Sequence, residues 1–179
     1  MLLYKKLFFI ILFIFPLFLF SQTNTEQNTS KEKGSEYCNI TEMSYGLGLS
    51  EQKRYDSFGI HTINGFMIDP NISLGIGIGC ESHVNAVFIP IFCDVRAYFS
   101  KENKSPYLSF IIGKSFGLGG DKGGLLVNPS LGVKISKTPI HFNLGYKLQQ
   151  NTYLDGLLTN HFTVRETLNY LLFKFGVAF

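Results

Sequence analysis

The last ten residues, Tyr170 to Phe179, alternate between two kinds of side chain. Leu171, Phe173, Phe175, Val177 and Phe179 fall on one parity; Leu172, Lys174, Gly176 and Ala178 fall on the other. A period of two is the mark of a β-strand whose faces meet different surroundings. The same alternation recurs along the chain from residue 42 onward, so one strand type, repeated, must account for nearly the whole fold.

Counting the repeats gives eight strands. They are predicted at Met43–Ser50, Phe58–Ile68, Ile72–Glu81, Val87–Phe99, Pro106–Phe116, Leu125–Ile135, Ile140–Gln149 and Tyr170–Phe179. In the third, Leu74, Ile76, Ile78 and Cys80 oppose Gly75, Gly77 and Gly79. In the fourth, Ile91, Cys93 and Val95 oppose Phe92, Asp94 and Arg96. The second fits least well, because either parity leaves a misfit: Thr62 with Asn64, or His61 with Gly65. Pro90 and Pro129 fall inside strands, where each removes a ladder donor; a bulge or a place near the external rim is expected for both. The first strand is short for a span of ~9–11 residues.

The polar parity is mostly glycine and serine with isolated charges. A solvated surface would carry charge more densely, and Phe, Tyr, Leu and Ile from every strand would overfill an eight-stranded interior. Only 16% of residues are charged, against ~25% in an ordinary soluble domain. The apolar parity therefore faces lipid and the polar parity the lumen. Connections at 69–71, 100–105 and 136–138 are compact and alternate with longer ones, as expected if they share the periplasmic side. Asp94, Arg96, Lys134, His141, Lys147 and Lys174 then point inward, where a neutralising network should fill the lumen. A connection at 82–86 sets Gly75 and Gly77 opposite Asp94 and Phe92, and Cys80 opposite Ile89 rather than Cys93. That four-residue offset is roughly 13 Å, beyond disulfide reach, so both thiols should be free.

Lys5 and Lys6 precede an apolar run from Leu7 to Phe20, and Ser21-Gln22 opens a polar segment. This is the pattern of a secretory signal peptide, residues 1–21, cleaved before Gln22. Residues 22–41 are expected to be a disordered periplasmic lead-in, and 42–179 the barrel. Removing 21 of 179 residues leaves 158, and loss of two lysines leaves 14 basic against 13 acidic groups. That balance does not suit nucleic acid as a partner. Cys38, Cys80 and Cys93 are too few for a disulfide scaffold.

No motif assembles a reaction centre. Gly75-x-Gly77-x-Gly79 lacks the dinucleotide spacing, and the loop Gly117 to Gly124 lacks the lysine and hydroxyl of a phosphate loop. His61, His83, His141 and His161 show no metal-ligand spacing. His161, Thr163 and Glu166 come nearest to a hydrolase triad, with threonine where serine would be needed. Neither catalysis, cofactor nor metal is expected.

The C-terminal strand resembles that of outer-membrane β-barrels, in which a terminal aromatic, here Phe179, is part of the insertion signal read by the barrel-assembly machinery. Ile89-Pro-Ile-Phe-Cys-Asp-Val-Arg-Ala-Tyr-Phe99, Ser105-Pro-Tyr-Leu108, Gly123-Gly124, Asn128-Pro-Ser-Leu-Gly-Val-Lys134 and Leu144-Gly-Tyr146, taken in order, resemble the small porin-T-like outer-membrane barrel family over residues 42–179. The resemblance implies an eight-stranded antiparallel up-and-down barrel in the bacterial outer membrane. The expectation is a monomer with outer-membrane lipid around it and a structural or interaction role in the envelope. A narrow pore, a lipid-modifying barrel and a soluble secreted barrel with a small ligand are the alternatives.

Overall fold

The computed structural model describes residues 36–49, 56–83, 86–100, 104–118, 122–135, 139–155 and 162–179. The expected signal peptide and most of the lead-in lie outside them. Eight strands follow one another: β1 (Glu36–Gly48), β2 (Ser57–Asp69), β3 (Ile72–His83), β4 (Val87–Tyr98), β5 (Lys104–Leu118), β6 (Leu125–Ile135), β7 (Ile140–Asp155) and β8 (Phe162–Ala178). Each pairs antiparallel with the next, and β8 closes on β1.

The stagger of the closure can be read from the register. Starting at Asn39 and stepping through paired residues gives Asn64, Ile76, Cys93, Ile112, Val127, Leu148 and Asn169. The Asn169 carbonyl accepts from the Leu49 amide, so one circuit returns to β1 ten residues further on. With ~3.3 Å per residue and ~4.8 Å between strands, that shear tilts the strands by about 40°. A barrel of this size is just wide enough for its own side chains to fill.

Polarity is inside out. Ile76 is 65% and Leu131 63% exposed on the outer wall, while Arg96 and Lys147 are 1% exposed in the lumen. A water-soluble barrel would reverse that order, whereas an apolar outer belt and a polar interior are what a bilayer demands. The lumen is narrow because glycines on one strand make room for rings on the next. A Cβ on Gly77 would lie 2.3 Å from the Phe92 ring, one on Gly132 2.3 Å from Tyr107, and one on Gly79 2.2 Å from His61. Gly75 faces Asp94 and Gly77 faces Phe92, the register the sequence predicts.

Three expectations are corrected. β1 begins at Glu36, not at residue 42 or 43, so residues 36–41 belong to the wall and not to the lead-in. The first strand thereby gains the length it lacked. β7 and β8 pair out to Asp155 and Phe162, where a loop from Asn151 was expected. Neither proline sits at a bulge, because the register is the same on both sides of Pro90 and of Pro129. Pro90 is three residues from the start of β4 and near the outer rim, the other place expected for it, whereas Pro129 is the fifth of eleven residues in β6 and pairs with Phe110 in the middle of β5. Beside Pro129, the Asn128 side-chain amide donates to the Tyr146 carbonyl at 3.0 Å, supplying a donor the proline lacks.

Candidate functional site

The charged lumen forms two clusters. The lower one is built on β4, where Asp94 and Arg96 share a face two residues apart. Arg96 Nε donates to Asp94 Oδ2 at 2.7 Å, and its Nη2 donates across the lumen to Glu42 Oε1 at 2.7 Å. Ser109 Oγ donates to the other Asp94 oxygen at 2.8 Å. The guanidinium lies 5.4 Å from the centre of the Tyr107 ring, and Asn143 donates to the Tyr107 hydroxyl. Lys174 Nζ stands 4.0 Å from Glu42 Oε2. His141 Nε2 is 3.2 Å from Glu42 Oε1 but off the line of a hydrogen bond.

The upper cluster is built on Glu81 of β3. Lys147 donates to its Oε2 at 2.9 Å, and His61 Nε2 shares a hydrogen bond with its Oε1 at 3.1 Å. His83 Nε2 is 3.7 Å from Oε2, and its other ring nitrogen shares a 2.8 Å hydrogen bond with the Tyr170 hydroxyl. Lys147 Nζ also lies 4.5 Å above the Tyr170 ring. Between the clusters runs a small void walled by Phe92, Ile111 and Leu126 and by the charged ends of both clusters. It has room for about one water.

Three acids, Glu42, Glu81 and Asp94, thus meet three cations, Arg96, Lys147 and Lys174, all of them buried. Buried charge is tolerated only when paired and hydrogen-bonded, and removing one member strands the other. Of the lumen residues singled out from sequence, Asp94, Arg96, His141 and Lys174 come together in the lower cluster, and Lys147 belongs to the upper one. Lys134 stays half-buried, its Nζ 5.7 Å from the Tyr98 ring centre. Glu42 and Glu81, the two acids that anchor the clusters, were missed. The signal for them was arithmetic, since one acid cannot neutralise four cations.

His161 lies outside the described residues, as does the side chain of Thr163, and Glu166 is exposed. Cys38, Cys80 and Cys93 are free thiols, and Cys93 faces Ile76. Phe179 exchanges two backbone hydrogen bonds with Asn39 at the closing seam.

Eight antiparallel strands closed at a shear of ten, apolar outside and ion-paired inside, define a small transmembrane β-barrel. Its architecture is similar to that of Neisserial surface protein A, with a TM-score of 0.55 at 15% identity over 82% of this chain and 100% of that one. It is also similar to the outer-membrane enzyme PagL, with a TM-score of 0.56 at 8% identity over 77% of this chain and 98% of that one. At these identities the likeness is one of fold, and a shared fold carries no chemistry with it. No protein-family model matches the chain, and no curated protein does.

Proposed function

We propose that this chain is a non-catalytic barrel of the bacterial outer membrane whose lumen is plugged by its own side chains and whose role is structural or adhesive. The single observation that supports this reading is the pairing of every buried lumen acid with a cation. A carboxylate already held by Arg96 or Lys147 has neither the freedom of a catalytic base nor the hydration of a pore lining. The order of short motifs from Ile89 to Tyr146 supports placing the chain among porin-T-like barrels, and residues 1–21 support export by a leader cleaved before Gln22.

Purified protein reconstituted in a planar bilayer tests the plug. No steady conductance is expected. A stable unitary current would replace this reading with that of a pore. Membrane fractionation and intact mass of the extracted protein test the location and the cleavage, with a chain starting at Gln22 in the detergent-soluble outer-membrane fraction as the expected result.

A further inference from the structure

Among the described residues, the outer wall carries a block of uncharged polar side chains at one seam. On β3 to β8 the side chains that face outward between the rims are mostly apolar or cysteine, such as Leu74, Cys93, Leu108, Val127, Leu144 and Phe173, with Lys114 on β5 a single cation lying 5.4 Å from the Phe116 ring centre. The seam between β1 and β2 differs. Asn39 pairs directly with Asn64, and Thr41 with Thr62, so two polar rungs lie side by side on the outside of the barrel. Apolar residues surround them. Met43 faces Ile60 on the rung above, and Tyr37 faces Phe66 on the rung below. Ile76 and Ile78 flank the block on β3, and Val177 flanks it on β8. The block therefore sits in the lower part of the lipid belt, one aromatic rung above its edge.

Its hydrogen bonding is incomplete. Asn64 Oδ1 accepts from the Tyr37 hydroxyl at 2.6 Å and from Asn39 Nδ2 at 2.7 Å. The amide nitrogen of Asn64, which is exposed, meets no partner among the described residues, and neither does the amide oxygen of Asn39. Hydrocarbon offers nothing to such groups, so an unmet donor there carries a real cost. Polar side chains at membrane depth are relieved by polar side chains of a neighbour in the same plane.

In place of the monomer expected from the sequence, we propose that the Asn39–Asn64 and Thr41–Thr62 rungs are the contact through which two copies of this chain pair side by side in the membrane. The choice of occupant follows from the chemistry of the block. It is uncharged, and it carries donors and acceptors in the same few ångströms. A two-fold axis through the seam sets the exposed Asn64 donor of one copy against the amide oxygen of Asn39, a residue 9% exposed, on the other, and repeats the bond by symmetry. A charged partner would find no counter-charge here, and an acyl chain no hydrogen bond. The apolar rim of Met43, Ile60 and Phe66 closes around the contact. This inference rests on the outer belt facing lipid and takes no support from the plug.

The test is the association of the full mature chain in lipid vesicles, followed by single-molecule photobleaching over a range of protein-to-lipid ratios. Wild type should show a dilution-dependent dimer. The pair Asn39→Leu and Asn64→Leu should weaken dimerisation at least tenfold while keeping the compact, fast-migrating band of a folded barrel. Leu108→Asn on the far wall should leave the wild-type dimer unchanged. Should the leucine pair fail to fold, Thr41→Val with Thr62→Val perturbs the same block more gently and should still shift the dimer to higher density. A wild type that stays monomeric at every ratio, or a dimer indifferent to both variants, overturns the proposal and leaves the block to lipid or to the segment before Glu36. Extraction by carbonate without detergent would instead refute the lipid-facing belt itself, which separates the two failures.

Discussion

Arg96 on β4 reaches across the lumen to Glu42 on β1, with Nη2 and Oε1 2.7 Å apart. The two strands are not neighbours in the sheet, so this bond works as a strut between opposite walls and not as part of a ladder. Lys147 on β7 and Glu81 on β3 form a second strut at 2.9 Å.

Removing the acid of the first strut leaves Arg96 with Asp94 as its one remaining carboxylate and Lys174 without its nearest counter-charge. Glu42→Ala should cost about 3–5 kcal/mol if the site stays dry. The compact gel band should then unfold at a clearly lower temperature than wild type. Arg165→Ala, at an exposed position on β8, should leave that temperature nearly unchanged. Equal thermal shifts for the two would mean that water fills the lumen.

Gly113 and Gly77 both face Phe92 but differ in what an added methyl would strike. At Gly113 it would meet the Ile91 carbonyl at 2.2 Å, which is backbone; at Gly77 it would meet ring atoms of Phe92 at 2.3 Å. A ring can tilt where a ladder cannot. Gly77→Ala should cost about 1–3 kcal/mol, and Gly113→Ala should cost more, as measured by urea unfolding in detergent. The reverse order would contradict the β4–β5 register.

Tyr170 holds His83 through its hydroxyl at 2.8 Å while its ring packs beneath Lys147. Tyr170→Phe removes the first contact and keeps the second. A loss of about 1 kcal/mol is expected for one buried hydrogen bond, and Tyr170→Ala should lose several times that through the cavity it leaves. Similar values for both would show that the hydroxyl carries the whole effect.

Cys93 points outward in the belt and Cys80 lies half-buried on the neighbouring strand. Because Ile76 is the residue opposite Cys93, non-reducing mass spectrometry should recover both as thiols. In vesicles, a membrane-permeant maleimide should label Cys93 faster than a charged one does. A Cys80–Cys93 disulfide would require β3 to slide four residues against β4.

How much of this could be read from the sequence depends on where each strand meets lipid. β3, β4 and β6 lie in the belt over most of their length, and their alternation gave both register and facing. β1 was cut short because its first half inverts the rule: Ile40 and Glu42 point inward, while Asn39 and Thr41 point outward. The same inversion made β2 ambiguous, since Thr62 and Asn64 complete that polar block. The outer ends of β7 and β8 went unseen for a different reason. Above the belt no lipid face exists to impose a period of two, and Asn151-Thr152 reads as a polar loop. Glu81, at the end of a glycine-rich strand, looked like a boundary residue. Only its cross-lumen partner Lys147 gives it meaning, and that pairing is a property of closure and not of local sequence.

The distribution of lumen charge along the strand order has a consequence for assembly. Glu42 and Glu81 belong to the first three strands, Lys147 and Lys174 to the last two, and Asp94 and Arg96 nearly cancel on the fourth. A sheet of these strands lying open is therefore negative along its leading side and positive along its trailing side. Curling it shut draws unlike charges together in the low-dielectric gap. The zipper formed when Lys174 arrives opposite Ser44, beside Glu42, works as a clasp with a keyed tooth. A closure displaced by two residues toward Gly46 would part the cation from its acid, so the charges that seal the finished barrel also weigh against shutting it that way.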